Sequence, residues 1–263
     1  MKEILITVIV FAVLGGAFGA ILAFASKMFE VKTDPRVPQI LDFLPGANCG
    51  GCGYSGCAAL AEAVATGDAK PSACTVGGTE AAKKISGIMG VEVGSVQRKR
   101  AQVMCSGTCG ASKKKYIYRG APDCVSAASL AGGDKMCANG CIGLGTCVTA
   151  CPFGAISVAD GVAAVNYHKC EGCGVCVAAC PKHIIELIPY EADFWVGCKS
   201  VESGSVVKRQ CDAGCIGCKL CEKVCPAGAI AVKDYVASID YKKCTECGLC
   251  AEKCPRDIIK SSD

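Results

Sequence analysis

Twenty-five of 263 residues are cysteine, a density far above that of an ordinary globular chain, so thiol chemistry decides what the molecule can do. Three uses of thiols compete. A disulfide scaffold belongs to short chains in oxidising compartments, whereas here the cysteines recur at CxxC and CxxxCP spacings along a long chain. Structural zinc takes two CxxC pairs separated by a loop and has no use for three cysteines followed by Cys-Pro. Iron–sulfur ligation does use that run: three cysteines hold one cluster, and the cysteine before proline reaches across to a second. The chemistry expected of these residues is one-electron transfer.

Two stretches align without gaps, Cys147-Val-Thr-Ala-Cys151-Pro-Phe-Gly-Ala-Ile with Cys221-Glu-Lys-Val-Cys225-Pro-Ala-Gly-Ala-Ile. Each leads to a second motif, Cys170-x2-Cys173-x2-Cys176-x3-Cys180-Pro or Cys244-x2-Cys247-x2-Cys250-x3-Cys254-Pro. The pair reads as a tandem duplication of a ferredoxin-like unit with two [4Fe-4S] clusters. The crossing rule assigns Cys137, Cys141, Cys147 and Cys180 to one cluster and Cys170, Cys173, Cys176 and Cys151 to its neighbour. In the second unit it assigns Cys215, Cys218, Cys221 with Cys254, and Cys244, Cys247, Cys250 with Cys225. The motif Cys137-x3-Cys141-x5-Cys147 is stretched by inserted glycines where the other three are compact. Short hairpins are expected from Ile156 and from Ile230, with one-turn helices after each Cys-Pro.

Upstream, Pro45-Gly-Ala-Asn-Cys49-Gly-Gly-Cys52-Gly-Tyr-Ser-Gly-Cys57 with Cys74 supplies four ligands for one further cluster. The glycines let the backbone turn tightly and aim N–H groups at the sulfurs. Ser55 is expected to cap a helix over 56–65, and 79–89 to form a short amphipathic helix. Gly51 to Gly56 also fits GxGxxG, but no strand precedes it and no βαβ unit surrounds it, so a dinucleotide site is rejected.

Twenty cysteines thus account for five clusters. Cys105, Cys109, Cys124, Cys198 and Cys211 are left over; they allow a sixth cluster, or serve as buried free thiols. His168 and His183 read as surface or turn residues. Lys113 to Lys115 and Arg98 to Arg100 would either dock an acidic carrier or form solvated basic loops. The formal charge of +4 counts ligand thiols as neutral; five clusters at roughly −2 each would bring the holo chain to about −6. A nucleic-acid-binding surface is not expected.

The elements that must position these ligands are small. Aromatics are only 6% of residues and glycines number 32, so cluster ligation has to replace much of an ordinary core and the apo chain is expected to be largely unfolded. Residues 4–25 carry no charge and no proline, long enough to cross a hydrocarbon core of roughly 30 Å. A cleaved signal is the rival reading, with Ala23-Phe24-Ala25 as its cleavage site; the run is longer than such signals carry. Lys27, Lys32 and Arg36 follow the span while only Lys2 precedes it, placing the cluster-bearing part on the cytoplasmic side. Gly15 and Gly19 would let another membrane helix approach, although glycine is common in membrane helices generally. The expected architecture is α+β: a transmembrane anchor at 1–26, a four-Cys [4Fe-4S] module at 27–92, a connecting segment at 93–136, ferredoxin-like unit 1 at 137–188, a linker at 189–210 and unit 2 at 211–263.

One membrane helix, then CGGCGYSGC with a fourth cysteine downstream, then Cys-Pro ferredoxin motifs: this order resembles the B subunit of the Rnf electron-transport complex, over nearly the whole chain. The stretched motif and the second ferredoxin unit look like the longer form from anaerobic bacteria. The resemblance implies a membrane complex that oxidises soluble ferredoxin, reduces NAD⁺ and moves Na⁺ or H⁺, with this chain passing electrons from ferredoxin to the other membrane subunits. Nothing in the chain itself supplies a flavin or nicotinamide site, and one helix without an ionisable residue cannot move ions alone. A membrane-anchored polyferredoxin serving a hydrogenase or carbon monoxide dehydrogenase, and an iron–sulfur protein with a sensing role, are the alternatives.

Overall fold

A computed structural model describes residues 2–29, 34–94 and 96–262; Lys32, one of the cations flanking the apolar run, lies outside them. Helix α1 spans Lys2–Met28, and its stretch Val8–Met28 is long and apolar enough to cross a bilayer. Phe11, Phe18 and Phe24 stand exposed on it, so its apolar surface needs a partner that the rest of the described chain does not provide.

The next unit packs α2 (Arg36–Phe43), α3 (Cys57–Thr66) and α4 (Gly78–Met89) around Ile40, Leu60, Val64 and Ile85. Arg36 pairs with Asp34 at 2.6 Å and donates to the Ala65 carbonyl at 2.7 Å, tying α2 to the end of α3. The guanidinium hydrogen bond holds the Asp34 carboxyl down at about 2. Ser55 does not cap α3. The N-cap is Gly56, without a side-chain bond, and the Cys57 amide donates instead to Asn48 Oδ1 at 2.8 Å.

Two copies of one small α+β layout follow. In the first, β1 (Lys99–Val103) is separated by α5 (Cys124–Ser129) and α6 (Thr146–Ala150) from the hairpin β2 (Ile156–Ala159) and β3 (Val162–Val165). Then come α7 (Val175–Ala179) and β4 (Ile185–Pro189), which returns antiparallel to β1 with Val103 opposite Ile185. The second copy runs β5 (Phe194–Val196), α8 (Gly204–Gln210), α9 (Leu220–Val224), β6 (Ile230–Lys233), β7 (Val236–Ile239), α10 (Leu249–Glu252) and β8 (Ile259–Ser261). Here β5 pairs with β8, Val196 opposite Ile259. The hairpins share one register, Ile156 with Val165 and Ile230 with Ile239. The segments expected as connector and linker therefore each donate a strand to the unit that follows.

The one-turn helices lie before each Cys-Pro, not after it. A residue preceding proline is pushed out of the helical region, and Cys151, Cys180 and Cys225 accordingly end their helices in extended geometry. The core of the first copy comprises thirteen buried residues, five of them cysteines, and that of the second only seven, two of them cysteines.

Arg100, which the sequence places in a basic surface run, is 2% exposed. It donates to the Ala192 carbonyl at 2.6 Å and lies over the rings of Tyr167 and Trp195. Arg100→Ala is expected to cost about 2–4 kcal/mol, the sum of a charged hydrogen bond and its aromatic contacts, and chemical denaturation of the holo protein under anaerobic conditions would show it. Lys114 is likewise committed, to Asp134 at 2.8 Å, and Arg98 covers Tyr190. Lys113 stays exposed.

Candidate metal centres

All 25 cysteines are free thiols, and the cavities among them gather thiols in fours. One cavity is lined by Cys215, Cys218, Cys221 and Cys254, and another by Cys151, Cys170, Cys173 and Cys176. These are two of the sets expected from the motifs. Cys225, Cys244 and Cys250 are neighbours as well, the charges of Cys244 and Cys225 adding to burial in raising the Cys250 thiol; Cys247 is exposed on the connecting loop. In the upstream module, burial raises the Cys74 thiol, with smaller contributions from Cys52 and Cys57.

The remaining motif is rearranged. One cavity gathers Cys141, Cys147 and Cys180, but its fourth cysteine is Cys124, from the start of α5. Burial raises the Cys147 thiol to about 11, reinforced by Cys141, Cys124 and Cys180. Cys137 stands elsewhere, in a cavity with Cys105, Cys198 and Cys211. The grouping of Cys137 with Cys141, Cys147 and Cys180 is thus corrected: Leu144 occupies the place in the first copy that Cys218 holds in the second, and Cys124 supplies the missing thiol from a different segment.

The displaced Cys137 takes part in a pseudo-symmetric arrangement. Cys137-x3-Cys141-Ile-Gly repeats as Cys211-x3-Cys215-Ile-Gly. Cys105 lies two residues past β1 and Cys198 two residues past β5. Each copy therefore contributes one thiol from a strand end and one from upstream of its first cluster loop. The Cys141 amide donates to Cys105 Sγ at 3.4 Å, and Cys198 lies beside Cys215, burial pushing the Cys198 thiol up to about 11. Further amides reach sulfur from Gly107 to Cys105 and from Ser200 to Cys198. The same donor chemistry serves motif cysteines, from Ala101 to Cys170, Ala155 to Cys151 and Ala229 to Cys225.

The glycine of each Cys-Ile-Gly has a steric reason. Gly143 has φ +80 and a Cβ there would meet the Gly161 carbonyl at 2.4 Å; Gly217 has φ +65 and would meet Tyr235 O at 3.0 Å. The first cluster loop thus rests directly on the hairpin turn.

These donor sets fit clusters. Thiols converge in fours from separate segments, with amide donors directed at sulfur, as an anionic iron–sulfur core requires. Among the described residues no three His, Cys, Asp or Glu side chains converge as a single-ion site. Both histidines are exposed, His183 in a turn at φ +49. Cys109 is exposed and lines none of these cavities.

The upstream module is seated on the first copy. A Cβ added at Gly51 would lie 2.1 Å from the Cys173 carbonyl oxygen, so backbone meets backbone between the two cysteine loops. Gly51→Ala is expected to cost about 1–3 kcal/mol through overpacking, and limited proteolysis near residue 92 should then release the module faster than from the wild type.

Rows of cysteine tetrads carried on tandem ferredoxin-like folds behind an apolar helix define a polyferredoxin, a protein built for electron transfer. Residues 44–76 match a family described as "Putative Fe-S cluster", and residues 135–181 and 214–258 each match "4Fe-4S dicluster domain". The chain is 44% identical over 262 residues to the B subunit of the ion-translocating oxidoreductase complex of Methanosarcina acetivorans, covering 99% of both chains. It is 45% identical to the B subunit of the Na(+)-translocating ferredoxin:NAD(+) oxidoreductase complex of Acetobacterium woodii, over 98% of this chain and 78% of that one. The corresponding B subunit of Clostridium ljungdahlii, from a complex named proton-translocating, is 38% identical over 99% of this chain and 93% of that one. The chain belongs to the B-subunit family of the ion-translocating, Rnf-type oxidoreductase complexes.

Proposed function

We propose that this chain is the electron-relay subunit of a membrane ion-translocating ferredoxin:NAD⁺ oxidoreductase, taking electrons from reduced soluble ferredoxin and passing them to the other subunits through six [4Fe-4S] clusters in a row. The clusters supply the electron-carrying chemistry; the chain supplies thiols, amide donors and spacing. It holds no complete active site, so NAD⁺ reduction and ion movement belong to its partners. Helix α1 anchors it, and Lys27 in its last turn with Arg36 beyond, against Lys2 alone at its start, favours a cytoplasmic cluster domain.

The observation that carries this reading is the adjacency of successive tetrads. Cys49 of the upstream module neighbours Cys173, and Cys176 neighbours Cys147 of the next set. The Cys141 amide donates to Cys105 of the shared set, and that set in turn touches the second copy through Cys198 and Cys215. Cys221 and Cys225 then sit on and just past the single turn of α9. Without the shared set of Cys105, Cys137, Cys198 and Cys211, the two ferredoxin-like copies would have no cluster at their junction.

The test is anaerobic stopped-flow mixing of the purified full chain with reduced ferredoxin. Rapid bleaching of the iron–sulfur absorbance is expected. A chain that stays oxidised in the presence of excess reduced ferredoxin would contradict the reading.

A further inference from the structure

Lys135 is a lysine buried without an acid. It is 4% exposed, and its Nζ donates to the carbonyls of Gly107 at 2.6 Å and Gly161 at 2.9 Å. Among the described residues no carboxylate lies within ion-pair distance of it, the adjacent Asp134 being paired with Lys114. Two neutral carbonyls compensate a buried ammonium poorly, since removing such a charge from water costs several kcal/mol.

The two carbonyls fix where the ammonium lies. Gly107 lines the cavity shared by Cys105, Cys137, Cys198 and Cys211. Gly161 is the hairpin-turn residue on which Gly143 rests, and Gly143 lines the cavity of Cys124, Cys141, Cys147 and Cys180. The stem of Lys135 also lies 3.7 Å from the position of a Cβ at Gly140, another wall of the shared cavity. The ammonium thus sits at the seam between two thiol-lined cavities.

We propose that Lys135 is a positioning and tuning residue for the junction: its ammonium compensates the two anionic clusters on either side and raises the reduction potential of both. This rests on the six-cluster relay proposed above. The sign follows from electrostatics, because adding an electron makes each cluster more negative and a fixed cation stabilises that state more than the oxidised one. The two clusters through which electrons must pass between the ferredoxin-like copies would therefore accept electrons more readily than their cysteine ligation alone provides.

The test is an EPR-monitored redox titration of the anaerobic full-length holoprotein and of Lys135→Met, Lys135→Gln and Lys135→Arg. Glutamine can still donate to both carbonyls but carries no charge; arginine keeps the charge. In the Met and Gln variants, iron per chain should be unchanged while two clusters become harder to reduce. Their reduced-to-oxidised ratio at fixed potential should fall about tenfold, equivalent to about 59 mV for a one-electron couple. The arginine variant should keep wild-type potentials. Unchanged potentials in the Met and Gln variants would overturn the proposal, as would a uniform shift of all clusters. Loss of iron from the glutamine variant would also overturn it, since Lys135 would then be only a structural tie. If the wild type itself holds no iron in the two junction cavities, the relay reading fails before any variant is compared.

Discussion

Cys198→Ala, in the full chain isolated anaerobically, is expected to lose about 4 Fe of the roughly 24 that six cubane clusters contain. The second ferredoxin-like copy should then no longer exchange electrons with the upstream module. The reason is positional. Cys198 lies in a cavity to which the first copy gives Cys105 and Cys137 and the second gives Cys198 and Cys211, so removing any one of the four breaks the junction and spares the clusters on either side. Two controls sharpen the result. Cys109→Ala should lose no iron, because that thiol is exposed and outside the tetrads. Cys124→Ala should lose about 4 Fe from the cavity it shares with Cys141, Cys147 and Cys180, whereas the grouping suggested by the linear motif would leave it silent. Iron and sulfide analysis with cluster-resolved EPR reads all three. A Cys198→Ala protein that keeps its full iron would refute the shared site.

The second large effect is on folding. Stripping the clusters with an oxidant and chelator is expected to abolish amide protection across residues 99–262, while α1 in detergent stays helical. Seven buried residues, two of them ligands, form the core of the second copy. A core that small contributes a few kcal/mol at most, less than the conformational entropy of ordering the loops around it, so cluster ligation has to be folding free energy. The thiol environment points the same way. Burial and neighbouring thiols raise Cys176 to about 12 and Cys221 to about 11, so in the apo chain these sulfurs stay protonated and tie no loops together. Hydrogen exchange by mass spectrometry, comparing holo and stripped protein, measures this directly. Retention of slow exchange in β1, β4, β5 and β8 after complete iron loss would show that packing alone sustains the fold.

Much of this architecture is legible in the sequence, for a definite reason. Cys-Pro runs are local: their ligands lie within one loop and one helical turn, so spacing alone names them, and the hairpins from Ile156 and Ile230 alternate plainly enough to be placed. The apolar run at the N-terminus is legible in the same way. What the sequence hides is nonlocal. Cys124 reaches its cavity from a segment between β1 and the first cluster loop, and no spacing rule links it to Cys141. Cys105 and Cys198 become equivalent only when β1 and β5 are seen to pair with β4 and β8. One signal does point to the shared set: Cys-x3-Cys-Ile-Gly occurs at Cys137 and again at Cys211, a repeat that sets both cysteines apart from the compact motifs. The cap of α3 is hidden for a simpler reason. Ser55 has the chemistry of a cap, but Asn48 reaches the Cys57 amide first, from a cysteine loop whose path the local sequence does not reveal. Arg100 looks like a surface residue because its burial depends on Tyr167 and Trp195, distant in the chain.

The most direct measurement of the central claim, a continuous row of clusters carried by one chain, is native mass spectrometry of the anaerobically purified full-length protein released from detergent. The predicted spectrum has the mass of the polypeptide plus six [4Fe-4S] cores, with all six lost stepwise under chelation. A species carrying zinc, or an iron-free chain with its thiols joined in disulfides, would contradict it.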